Sequence, residues 1–151
     1  MTTWFRNVDV PAGAPPSTWP YEAIVATIER GLIQDWAVLT REVRRDPWGA
    51  VARQVSDYLE DRQPAGVGPL LARAIQSARD EAAESERAEV AAEIDALVRG
   101  SGLTSAAFAA RIGTSASRLS TYRRGTVTPS AAILLRMRRL AAALRDGALA
   151  R

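Results

Sequence analysis

The chain has no cysteine, no histidine and no lysine. Without cysteine it can form no disulfide, thiolate metal site or cysteine nucleophile. Without histidine it lacks the commonest general base at neutral pH and the commonest metal ligand. No cofactor or metal is expected, and an enzyme is not expected either. The adjacent acids Glu60-Asp61 and Asp80-Glu81 read as solvated, because neighbouring helical residues do not face each other. Gly66 and Gly68 lack the strand and helix context of a phosphate-binding loop. No apolar run approaches the roughly 20 residues that a membrane helix needs. The opening residues, MTTWFRNVDV, hold no cationic segment followed by an apolar one, so they do not read as a signal peptide. A soluble, cytoplasmic protein is the expectation.

One further absence is local. Residues 101–145 contain eight arginines and not one acid. All 20 basic residues of the chain are arginine; in an alanine-rich sequence that choice reflects composition and carries little weight. The missing carboxylates carry more. Cations with nothing nearby to offset them suit a polyanionic partner, although a solvated basic face gives the same pattern.

What is present fits a folded protein. Of 151 residues, 47% are hydrophobic, enough for one domain or two small ones. The net charge of +3 is unevenly spread: residues 1–85 hold 9 Arg and 12 acids, residues 86–151 hold 11 Arg and 5 acids. All four tryptophans, Trp4, Trp19, Trp36 and Trp48, fall in the first third. Both shifts point to two units, 1–85 and 86–151.

The pattern is helical throughout, with no strand-like alternation, so the fold class is all-α. Residues 1–19, with three prolines and one glycine, read as an extended arm that Trp4 and Phe5 tie to the body. Pro20 suits a first helical position, followed by Tyr21, Ile24, Val25 and Ile28 at helical spacing, with Gly31 as the stop. Asp35 reads as the cap of a helix burying Trp36, Leu39 and Val43. Asp46-Pro47 opens the next, carrying Val51, Val55, Tyr58 and Leu59, and residues 63–68 break it. Another starts near Pro69 with Leu70, Leu71, Ala74, Ile75 and Ala78 inward. The polar stretch 79–87 reads either as a continuous helical connector or as a break capped by Ser85. Trp19 and Trp48 read as core or interface anchors, or as the lining of a pocket.

Residues 103–129, LTSAAFAARIGTSASRLSTYRRGTVTP, carry the functional signal. Thr104 caps a short helix, 105–112, in which Phe108 and Ile112 share a face and small Ala109 lets a second helix cross closely. Gly113 supplies the left-handed conformation that ends a helix at low cost. Thr114 caps a second helix, 115–124, whose Leu119 and Tyr122 point to the core. Gly125 ends it. Thr128-Pro129 opens a last helix with Ile133, Leu134, Met137 and Leu140 inward. Two short helices joined by a tight glycine turn meet the requirement of a helix-turn-helix. The outer face of the second offers Ser115, Ala116, Ser117, Arg118, Ser120, Thr121 and Arg124, none acidic.

Leu103-Thr104, Phe108-Ala109, Ile112-Gly113, Leu119-Ser120, Tyr122, Gly125 and Pro129 together resemble the lambda-repressor-like, Cro/C1-type (XRE) helix-turn-helix family. The resemblance covers roughly residues 90–144. It implies a five-helix domain that binds double-stranded DNA as a homodimer. It implies that Ser115, Ala116, Ser117 and Thr121 face bases, with Ser105, Arg118 and Arg124 nearer the phosphates and Thr114 also among the DNA-binding residues. The chain departs from the family at two positions. Arg123 stands where a Glu is common, and the position of that Glu's usual Arg partner reads as Val98. The ion pair is therefore expected to be missing, with Arg123 turned to DNA or solvent. Ser105 replaces a common Gln. The short side chains at 116 and 117 give little bidentate base reading, which shifts specificity toward Arg118, DNA shape or the arm.

The expected function is a transcriptional regulator, a repressor, with residues 1–85 dimerising or receiving a signal. The competing expectation is an antitoxin or adaptor whose N-terminal unit binds a protein partner, such as a cognate toxin, and which represses its own operon. Arg136, Arg138 and Arg139 read as a solvated face of the last helix.

Overall fold

The computed structural model describes residues 9–149; Trp4 and Phe5 lie outside them. Among the described residues every regular element is helical. A 3-10 turn, Pro16–Thr18, precedes α1 (Tyr21–Glu29), α2 (Ile33–Arg45), α3 (Ala50–Arg62), α4 (Val67–Gly100), α5 (Ser105–Ile112), α6 (Ala116–Arg123) and α7 (Ala131–Leu149). The chain divides into two compact units, Met1–Ala82 and Ala83–Arg151, with the junction inside α4. None of the helices is long and apolar enough to cross a membrane, among the described residues.

In the first unit α1, α2, α3 and the start of α4 enclose Ile24, Ile28, Leu39, Val43, Val51, Val55, Tyr58, Leu71 and Ile75. The described part of the expected arm is folded onto this core. Trp19 is buried there with Val10 and Ala14 packed nearby, and its indole N–H donates to the Ala14 carbonyl at 2.9 Å. Trp36 is half-buried, donating its indole N–H to Ile28 O at 3.1 Å. Trp48 and Leu70, in contrast, are exposed. Leu70 sits at the start of α4, beside a shallow cavity of about 470 Å³ that Trp36, Tyr58, Pro64 and Val67 also line.

Several helix starts differ from the sequence expectation by one to three residues. Pro20 is the N-cap of α1 rather than its first residue. Asp35 lies in the first turn of α2, where a carboxylate favours the helix dipole, and Leu32 holds the cap position. Asp46-Pro47 forms a turn that delays α3 to Ala50, with Gly49 at the cap. A β-carbon at Gly49 would collide with the Asp46 carboxylate, so that turn depends on glycine. Pro47 is buried, and its carbonyl accepts from Arg79 Nε of α4 at 3.1 Å. Gln63, at φ 43°, ends α3 in the left-handed region.

The two possibilities for residues 79–87 resolve as a continuous helix. Helix α4 runs 34 residues without interruption. Nothing in 67–100 breaks it: Pro69 falls in the first turn, where its missing N–H costs nothing.

The second unit packs Ile94 and Val98 of α4 against Phe108, Ala109, Ile112, Leu119, Tyr122 and Met137. It holds four helical segments, the end of α4 with α5, α6 and α7, rather than five. Residues 124–130 follow α6 as an irregular link.

Candidate nucleic-acid interface

Helices α5 and α6 form the helix-turn-helix candidate. Thr104 caps α5 through its side chain, accepting from Ala107 N at 3.2 Å. Gly113 ends the helix at φ 80°, and its N–H satisfies the last turn by donating to Ala110 O. Here the sequence placed the next cap one residue early. Ser115, not Thr114, caps α6: Ser115 Oγ accepts from Arg118 N at 3.1 Å. Thr114 is half-buried, with its N–H donated back to Ala109 O at 2.9 Å. The start of the last helix shifts likewise. Ser130 Oγ accepts from Ile133 N at 3.3 Å, after a buried Pro129, and α7 begins at Ala131 rather than at 129.

Gly125 has a reason beyond its φ of 72°. A β-carbon there would meet Ala91 Cβ at 3.4 Å, so the chain leaving α6 passes tightly over α4. Thr121 O anchors the same exit, accepting from Thr126 N at 3.2 Å and from Thr126 Oγ1 at 3.1 Å.

One face of α6 is locked. Leu119 and Tyr122 are buried. Arg123, expected to lack a partner, has one. Its Nε and Nη2 lie 2.9 and 2.6 Å from Asp95 Oδ1 of α4, and its Nη1 donates to Ser105 Oγ of α5 at 2.9 Å. One guanidinium thereby joins three helices. The partner is not at Val98, which is core, but three residues earlier, one helical turn along α4. Compared with the expected family arrangement, the polarity is reversed: the cation is on α6 and the anion on α4. Arg123 and Ser105 are thus committed to holding α6 in place rather than offered to a ligand. Arg99 Nε reaches the other Asp95 oxygen at 2.7 Å. The Arg123 hydrogen bonds hold the Asp95 carboxyl below its ordinary range, with Arg99 adding to them and desolvation opposing.

The other face is open. Ser115, Ala116, Ser117, Arg118, Ser120 and Arg124 are exposed; Thr121 is half-buried, its hydroxyl donated to Arg118 O at 2.7 Å. Arg118 Nε donates to the Tyr122 hydroxyl at 3.0 Å, which holds the guanidinium by its inner nitrogen. Among the described residues no carboxylate lies within ion-pair distance of Arg111, Arg118 or Arg124. The first-turn N–H groups of α6 have no intrahelical acceptor and make a partial positive pole.

The arginines of α7 divide. Arg136 Nη1 donates to Ile112 O at 3.4 Å, bringing a cation to the carbonyl end of α5. Arg138 pairs with Glu93 of α4 at 2.5 and 3.0 Å, and its hydrogen bonds lower the Glu93 pKa. Arg139 is exposed without such a partner. Among the described residues no cluster of acids could hold a metal ion. Comparison with known proteins gives no match: no family model, no curated protein and no solved structure is similar to this chain.

Proposed function

We propose that this chain is a sequence-specific, double-stranded-DNA-binding transcriptional regulator, a repressor, that seats α6 in the major groove as a lambda-repressor-like domain does. The observation that carries the reading is the division of α6 into two faces. Leu119, Tyr122 and Arg123 fix the helix to α4 and α5. The opposite face is small, uncharged or cationic and sits in an acid-free stretch of the chain. Ser115, Ala116 and Ser117 at its start permit close approach to base edges, while Arg118 and Arg124 suit phosphates. Bases then receive few bidentate contacts, and DNA shape supplies much of the selectivity.

Selection of bound sequences from a random DNA pool, followed by titration at several salt concentrations, tests the reading. A defined consensus is expected, with an affinity that falls steeply with salt as phosphate contacts release counterions. Arg118→Ala is expected to weaken binding by about tenfold and to leave the melting temperature unchanged. No consensus, or an affinity indifferent to salt, would refute it.

A second reading draws on the first unit. Leu32, Ile33 and Leu70 are each more than half exposed, at or near the cavity between the α1–α2 and α3–α4 turns. Apolar groups exposed together mark protein-binding surfaces. An antitoxin or adaptor would hold its protein partner there and use α6 to repress its own operon. Replacement of Ile33 by Glu should then abolish partner capture while DNA binding persists.

A further inference from the structure

In the first unit the α1–α2 and α3–α4 turns border a shallow cavity of about 470 Å³. That volume falls within the range of about 300–1,000 Å³ usual for small-molecule sites. Ile28, Trp36, Pro64, Val67 and Leu70 give it apolar walls, and the buried Tyr58 adds a second aromatic ring. The rim continues apolar through Leu32 and Ile33, which follow the lining residue Gly31 and are 55% and 80% exposed. The indole N–H of Trp36 is already satisfied by Ile28 O at 3.1 Å, so the ring offers a ligand its carbon surface and π face. Among the described residues Glu29 is the one charged side chain that lines the cavity. No arginine among them lies within ion-pair distance of its carboxylate. Neighbouring Arg30 is turned to Asp35, 3.6 Å away. Burial raises the Tyr58 pKa, and the Glu29 charge raises it further, against a smaller opposing effect of Arg62. The field at this end of the unit is therefore set by the acid.

These features select one kind of occupant. An anion would meet the Glu29 charge. A neutral apolar molecule would fill the cavity but take water from the carboxylate and return no partner to it. A cation that carries aryl or alkyl groups satisfies both demands. Its charge meets Glu29 and is attracted by the aromatic faces as well, while its apolar groups cover Trp36, Val67 and Leu70. We propose that the cavity between the α1–α2 and α3–α4 turns is a binding site for a hydrophobic organic cation, with Glu29 as its counter-ion and Trp36 and Leu70 as its apolar contacts. The site uses residues of the first unit alone, so the proposal stands whether or not α6 binds DNA. It gives the cavity a smaller occupant than the protein partner of the second reading.

Tetraphenylphosphonium is the probe, with triphenylphosphine oxide as a neutral molecule of similar shape. Calorimetric titration of the full chain, without DNA, should give a Kd of about 10–100 µM for the cation. The neutral molecule should bind at least about tenfold more weakly. The cation should also raise the melting transition reported by tryptophan fluorescence, because it binds the folded first unit. Glu29→Gln keeps the size of an exposed side chain, so folding is not at stake. It should weaken the cation about tenfold and leave the neutral molecule unchanged. Leu70→Ser, at a residue 54% exposed, should weaken both. No binding of the cation up to about 1 mM, equal binding of the two probes, or a cation affinity indifferent to either variant would overturn the proposal.

Discussion

The two units hold their helices together by different means. In the first, three polar links between elements run from a side chain to a backbone carbonyl, Trp19 to Ala14, Trp36 to Ile28 and Arg79 to Pro47, beside one long ion pair, Arg30 to Asp35 at 3.6 Å. In the second, the shortest run from charge to charge, with Asp95 meeting Arg123 and Glu93 meeting Arg138 across helices, beside the longer bond from Arg136 to the Ile112 carbonyl. A bond to a carbonyl does not titrate. An ion pair between α4 and its neighbours does. The basic unit therefore draws more of its helix registry from carboxylates whose pKa the fold lowers, Asp95 and Glu93, than the tryptophan-bearing unit does.

The difference can be broken most decisively through the core. Phe108 is fully buried beside Ile112, Leu119 and Met137. Replacing it with alanine should cost the second unit about 3–5 kcal/mol. Because all four tryptophans lie in residues 1–48, their fluorescence reports the first unit while circular dichroism reports both. Phe108→Ala should lower the dichroism transition and leave the fluorescence transition in place. A single transition by both probes would show that continuous α4 makes the units one cooperative body.

Acid gives the next contrast. Asp95 and Glu93 both have lowered pKa values in the fold. Their stabilisation is complete above the ordinary carboxylate values of about 4 and is lost as pH falls through the depressed folded values. The second unit should therefore melt at lower temperature as pH drops below about 4, and Asp95→Asn should flatten that dependence. If the tryptophan-reported transition moves as much as the second unit's does, the distinction between the units fails.

A smaller test concerns α6 itself. Ser115→Ala removes the acceptor for Arg118 N and should cost about 1 kcal/mol. Thr114→Ala should cost less, since the Thr114 side chain is not the cap. Equal losses would return the cap to Thr114.

That last pair shows where the sequence stops being readable. Elements set by one residue's own backbone were legible: Thr104 as a cap, and Gly113 and Gly125 as helix ends, each follow from local sterics. Two caps of the second unit were misjudged where a second hydroxyl stands close by. Thr114-Ser115 offers two hydroxyls, and Thr128-Pro129-Ser130 offers two as well; which of them reaches an N–H depends on the path of the preceding turn. Leu70 carries the right residue type for a core position, yet α4 begins at Val67 and turns it outward. The union of Asp95 with Arg123 spans 28 residues and three helices, so no local pattern announces it. Half of the candidate site was thus visible as its exposed face, and the half that holds it still was not.

The tether between Arg118 Nε and the Tyr122 hydroxyl has an entropic consequence. A free arginine surrenders about 1.5–2 kcal/mol of rotamer freedom when a surface immobilises it. Here the bond to the Tyr122 hydroxyl favours one placement of the guanidinium before any surface is met. Its neighbours Ser115, Ala116, Ser117 and Ser120 have almost no rotamers to lose. If α6 docks on DNA as proposed, its face has little side-chain freedom to give up on binding.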